Sequence, residues 1–110
     1  MEAFDLYIAH VYWGNEGKRR PVLILSQIDD KVSAFKITTQ YDSKSEAVRH
    51  NLFAIDDWDK AGLTKQSYID IGNIIKLPLS LLGEYPIGKL SNNDKIKLEK
   101  LLKERIGTNE

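Results

Sequence analysis

Arg20-Pro21-Val22-Leu23-Ile24-Leu25-Ser26 is the stretch on which the fold turns. Four apolar residues in a row, entered through a proline and left through a serine, make a run too short for a helix. They predict a strand buried on both faces. Pro21 is expected to open that strand, because a first residue need not donate to the ladder. Val32–Thr39 (VSAFKITT) alternates well enough for a second strand, and Asp29-Asp30 between them is turn chemistry. The two strands form a hairpin. Antiparallel pairing then sets the start of the first, Arg20, beside the end of the second, Thr38-Thr39.

Outward from the hairpin, Leu6–Trp13 (LYIAHVYW) is rich in β-formers and predicts an earlier strand. Gly14–Arg20 (GNEGKRR) reads as a polar, glycine-punctuated loop. Downstream, Gln40–Val48 reads as a long polar loop and His50–Ile55 as a short strand. Asp56–Gly62 looks like one helical turn closed by its glycine. Ser67–Ile71 and Asn73–Leu77 are two strand segments, or one strand bulged at Gly72. Pro78–Gly83 is a loop or single turn, and Ile87–Leu90 a last strand. Ser91–Ile106 is the one long helix, with Ser91 as N-cap and Asp94 in the first turn. Ile96, Leu98, Leu101, Leu102 and Ile106 are expected to form its apolar face, Leu98 at the edge. Gly107 stands where a helix stops, and 108–110 form a tail. Short strands followed by one helix predict a mainly β (α+β) protein, a bent antiparallel sheet or barrel. The 110 residues are expected to form one domain.

Composition narrows the function classes. Lys plus Arg and Asp plus Glu number 16 each, with seven of each sign in residues 1–55 and nine in 56–110. A nucleic-acid ligand must therefore be held by a local patch, not by a global field. There is no cysteine, which removes disulfides, thiolate metal sites and cysteine nucleophiles. No apolar run exceeds four residues, so no transmembrane helix is expected. The first residues have no apolar core of a signal peptide, and a cytoplasmic location is expected. Neither His10 nor His50 has a second histidine or acid at metal-ligand spacing, and no phosphate loop or nucleophile elbow is present. No metal and no cofactor are expected.

Two segments remain. Lys18-Arg19-Arg20 places three cations in a row ahead of the strand. Composition alone permits a solvated charge run. The functional reading is a phosphate patch, since guanidinium offers a fork that fits phosphate oxygens. Ile37-Thr38-Thr39-Gln40 ends the second strand in two hydroxyls and an amide. Threonine is also an ordinary strand residue. Arginine and hydroxyl meeting at one sheet edge can cradle a phosphodiester.

With these residues the chain resembles the MazF/PemK family of toxin endoribonucleases from bacterial toxin–antitoxin pairs. The likeness rests on Arg20–Ser26, on Ile37–Gln40, on Asp57–Leu63 (DWDKAGL) followed by Ser67, and on Ile87–Ser91 (IGKLS) leading into a helix. The resemblance implies a small SH3-like β-barrel with a C-terminal α-helix, usually a homodimer. It also implies metal-independent cleavage of single-stranded RNA at short sequences and neutralisation by a cognate antitoxin. The 2′-hydroxyl attacks the adjacent phosphate and leaves a 2′,3′-cyclic phosphate and a 5′-hydroxyl. The family's active arginine matches Arg20 and its threonine Thr38. Arg20 is suited to stabilise charge on the phosphorane. Thr38 is suited to hydrogen-bond a phosphate oxygen or the attacking hydroxyl. Lys18, Arg19 and Lys44 are candidates for backbone phosphates, Thr39 and Gln40 for contacts beside the cut, and Tyr41 for base stacking. The chain departs from the pattern in a short 14–20 loop, with Glu16 near but not at an acidic position. It also has Ile75 and Lys76 where many relatives carry an arginine. Two other readings stay open: a MazF-like binding module without catalysis, taking a protein or nucleic acid partner, and a plain β domain whose cations aid solubility.

Overall fold

The computed structural model describes residues 1–13 and 16–106. Gly14 and Asn15 of the first loop, Gly107 as the helix stop and the tail 108–110 lie outside the described residues. Strands β1 (Asp5–Trp13), β2 (Glu16–Ile28) and β3 (Lys31–Thr38) come first, then a short helix α1 (Glu46–Arg49). Next come β4 (Leu52–Ala54), β5 (Tyr68–Pro78), a 3-10 turn (Leu79–Leu81), β6 (Gly88–Lys89) and helix α2 (Asn92–Ile106). The strands form one antiparallel sheet in the order β4-β5-β3-β2-β1-β6. The expected class holds: mainly β with a C-terminal helix. The sheet stays open, with β4 and β6 at its edges.

Two boundaries around the first hairpin differ from the sequence reading. Most of the expected 14–20 loop is strand, because β1 and β2 pair from Leu6–Leu23 out to Trp13–Glu16. Ladder bonds are made by backbone, so a polar sequence does not stop a hairpin whose side chains reach water. Pro21 consequently lies inside β2, opposite Ile8. It is tolerated because β2 pairs with β3 only from Val22 onward, so Pro21 owes that side no donor. The two segments around Gly72 are one strand, β5. Its register against β3 jumps from Ala34–Ile75 to Lys36–Asp70, which is the bulge expected there.

The two faces of the sheet are covered differently. Leu6, Leu23, Phe35, Ile37 and Ile69 point to one face, where Ile55, Ala61, Leu90 and Leu98 complete the main core. Tyr7, Val22, Ile24, Val32, Ala34 and Leu77 point to the other and pack with Leu81 and Leu82. Helix α2 thus backs only one face. Its buried stripe is Asp94 and Leu98, flanked by half-buried Leu101 and Leu102. Leu98 is fully buried at the centre of that stripe, not at its edge, and Ile96 is 67% exposed. Two residues along a helix turn the side chain by roughly 200°, so Leu98 facing the core sends Ile96 to solvent.

Residues 55–63 are fixed from two directions. Lys97 on α2 pairs with Asp56. The hydrogen bond from Lys97, and then its charge, hold the Asp56 carboxyl below its ordinary 3.8. That contribution is present above the ordinary value and is lost as pH falls through the lowered one. Both side chains are about half exposed, so the pair adds little. Gly62, at φ +88°, closes the turn against the strand of β6: a Cβ there would stand 2.1 Å from the carbonyl oxygen of Ile87. Gly88 faces it as closely, its Cβ position 2.3 Å from the oxygen of Ala61. Gly62→Ala is therefore expected to cost about 2 kcal/mol or more in urea unfolding. A cost near zero would mean that the two segments separate freely.

Candidate active site

Cross-strand neighbours share a face of the sheet, their Cβ atoms about 4.5–5.5 Å apart. One row across the face opposite α2 runs Leu52, Asp70, Lys36, Val22, Tyr7. The next row runs Ala54, Tyr68, Thr38 on β4, β5 and β3. Arg20, two residues before Val22 on β2 and opposite Ala9, stands on the same face. The β2–β3 ladder ends at Val22–Lys36, and a cleft of about 240 Å³ opens just beyond it. Arg20, Thr38, Lys36 and Asp70 line it from the strands, and Gln40, Lys44 and Val48 from the segment that follows β3.

Arg20 is half-buried, and its Nε is wholly buried with no hydrogen-bond partner. A buried unpaired N–H costs about 1–3 kcal/mol, so this nitrogen is ready for an acceptor that the described residues do not supply. Thr38 is already oriented: its Oγ1 accepts the Gln40 N–H at 3.0 Å, which leaves its own proton to donate. Ser43 donates to Oε1 of Gln40 at 2.9 Å, leaving the Gln40 amide nitrogen free to donate. The Lys44 N–H donates to the Tyr41 carbonyl at 3.1 Å, and Ser45 caps α1. The loop thus folds on itself and brings Lys44 back to the cleft.

Of the residues singled out in the sequence, the cleft gathers Arg20, Thr38, Gln40 and Lys44. Lys18 lies farther along the same face of β2, and Arg19, by alternation, on the opposite face. Both are exposed and outside the cleft lining, as is Thr39. Tyr41 stacks on Tyr68, ring centroids 4.9 Å apart, and the Arg49 guanidinium sits 5.6 Å from its centroid. Its ring is part of a column beside the cleft instead of a free platform.

Asp70 is the one carboxylate among the lining residues, and no motif or spacing singles it out. Its Oδ1 accepts the Gly72 N–H at 2.9 Å, and Lys36 is its cross-strand neighbour. Chemically, the cleft offers a fixed arginine fork, an oriented hydroxyl donor and a carboxylate acceptor within two rows of one sheet.

The fold that carries the cleft is shared with solved toxin structures. Mycobacterium tuberculosis toxin MazF-mt6 superposes with TM-score 0.68 at 24% identity, over 91% of this chain and 93% of that one. The chain has the MazF fold. A chain of the MazE–MazF complex from Deinococcus radiodurans matches the MazF fold seen here with TM-score 0.68 at 14% identity, covering 97% of this chain and 96% of that one. A mycobacterial endoribonuclease in complex with its cognate antitoxin matches with TM-score 0.60 at 20% identity, over 92% and 89%. At the level of sequence, neither a family model nor a curated protein matches.

Proposed function

We propose that this chain is the toxin of a toxin–antitoxin pair, an endoribonuclease that cuts single-stranded RNA with its own side chains alone. The carrying observation is the unpaired, buried Nε of Arg20 in one cleft with Thr38 and Asp70. The relatives named above, an endoribonuclease with its antitoxin and a MazE–MazF complex among them, support the activity and the antitoxin partner.

The chemistry follows from the groups present. The Asp70 carboxylate takes the proton of the ribose 2′-hydroxyl, and the 2′-oxygen bonds to the adjacent phosphorus. Charge accumulates on the non-bridging oxygens, where the Arg20 fork and the Thr38 hydroxyl stabilise it. The bond from phosphorus to the 5′-oxygen breaks, and the proton held on Asp70 passes to that oxygen. The products are a 2′,3′-cyclic phosphate and a 5′-hydroxyl, with no net proton change. Arg20 is assigned charge stabilisation and not proton transfer, which falls to Asp70. Lys44 and Gln40 line the entrance for backbone and base contacts. An antitoxin segment laid along the cleft would bury Arg20 and block the substrate. A homodimer and a cytoplasmic site of action complete the reading. Among the described residues, no helix is long and apolar enough to cross a membrane.

The test is direct. The purified chain is expected to cut single-stranded RNA in the presence of EDTA and to leave ends that are phosphatase-resistant until the cyclic phosphate is opened. Cutting that stops in EDTA and returns with a divalent cation would overturn the mechanism. A folded chain that cuts no RNA and arrests no host on induction would favour the binding module.

A further inference from the structure

Two buried side-chain nitrogens lack a partner among the described residues: Nε of Arg20 and Nε of Arg49. The first belongs to the cleft already described. Arg49 closes α1 and lines a second groove of about 360 Å³ with Tyr41, Glu46 and His50. Among the described residues its Nε has no hydrogen-bond partner, and its guanidinium sits over the ring of Tyr41. A cation held over a ring with a buried donor unpaired is placed as a receptor more than as a structural tie.

The groove is continuous with the catalytic face. Thr38 stands opposite Tyr68, Tyr68 stacks on Tyr41, and Tyr41 carries Arg49. The column is braced from behind, since Arg105 on α2 donates to the carbonyl of His50 at 2.8 Å and to Oδ1 of Asn51 at 2.9 Å. The chain segment holding Arg49 is thereby pinned on both sides. Glu46 also lines the groove and offers an acceptor to a donating base edge.

We infer that the Tyr41–Arg49 groove receives a nucleotide of the RNA strand beyond the one being cut, with Arg49 holding its phosphate. This rests on the ribonuclease reading. A guanidinium beside the cleft suits the phosphate of a single strand, and the run Thr38, Tyr68, Tyr41, Arg49 puts both contacts within one strand's reach. An acidic antitoxin segment is the competing occupant.

The experiment measures binding of a cleavable oligonucleotide made inert by 2′-O-methyl ribose, over a range of salt. Arg49→Ala is expected to bind about tenfold more weakly. It should also lower the slope of log K against log salt by about 0.7, the signature of one lost phosphate on a single strand. Arg49→Lys, which keeps the charge, should restore most of the slope. A merely structural arginine would weaken binding without changing the slope. Unchanged affinity and slope in a folded Arg49→Ala overturn the inference, as does a variant that loses antitoxin binding alone. Should Arg49→Ala not fold, the slope of Arg49→Gln decides in the same way. A wild type that binds no RNA overturns the ribonuclease reading itself; a wild type that binds while Arg49→Ala is unaltered overturns only this extension.

Discussion

Arg20→Ala is expected to cut RNA about 10²–10³-fold more slowly than the parent chain, by loss of a preorganised donor at the developing charge. The fall should appear equally in kcat and kcat/KM, because the fork acts on the pentavalent phosphorus more than on the ground state. Arg20→Lys should recover only part of it, since an ammonium keeps the charge and loses the two-pronged geometry. Stability should move the other way. The Nε of Arg20 is buried without a partner among the described residues, so its removal relieves a desolvation cost and leaves the melting temperature equal or slightly higher. That opposition separates a catalytic arginine from a structural one. A variant that cuts at the parental rate, or one whose activity falls only because it unfolds, would remove Arg20 from the mechanism.

What the residues foretold and what they hid divides along the range of the interaction. The Arg20–Thr38 encounter was legible because a hairpin is local: the turn at Asp29-Asp30 fixes the register, and the register fixes who meets whom. Asp70 was not legible. It reaches the cleft through pairing of β5 with β3, some thirty residues away, and past a bulge that shifts the register between Ala34 and Lys36. Gly72 announces a bulge, but no periodicity in β5 says how far it shifts the register. Arg19 and Arg20 look alike in a charge run, and only alternation along an unforeseen strand sends one to the cleft and the other to the opposite face. Helix α2 shows the same limit. Its length and N-cap were readable, but its inward face was set by what the 55–63 segment asks of it. Counting apolar residues picked Ile96, while the sheet side took a carboxylate, Asp94, in its place.

That carboxylate carries the second large effect. Asp94 is fully buried, yet it is satisfied: Oδ1 accepts the Asp56 N–H at 2.9 Å and Oδ2 the Asp57 N–H at 2.8 Å. Its own N–H donates to the Ser91 hydroxyl at 3.2 Å, and that hydroxyl donates to Asp57 at 2.6 Å. One side chain therefore starts α2 and holds the turn that covers the main core. Asp94→Asn keeps the shape and fails the chemistry, because its amide nitrogen would face a backbone N–H. It is expected to cost about 3 kcal/mol, from one charge-assisted bond lost and one buried donor left unpaired. For a chain of this size that lowers the melting temperature by about 15 °C. Glu99→Gln, on the exposed side of the same helix, should stay within about 0.5 kcal/mol. The cleft lies on the other face of the sheet, so the folded fraction of Asp94→Asn should cut RNA at the parental rate at low temperature. A variant within about 1 kcal/mol of the parent in urea would show that Asp94 merely fills space, and that something other than this carboxylate fastens the helix to the sheet.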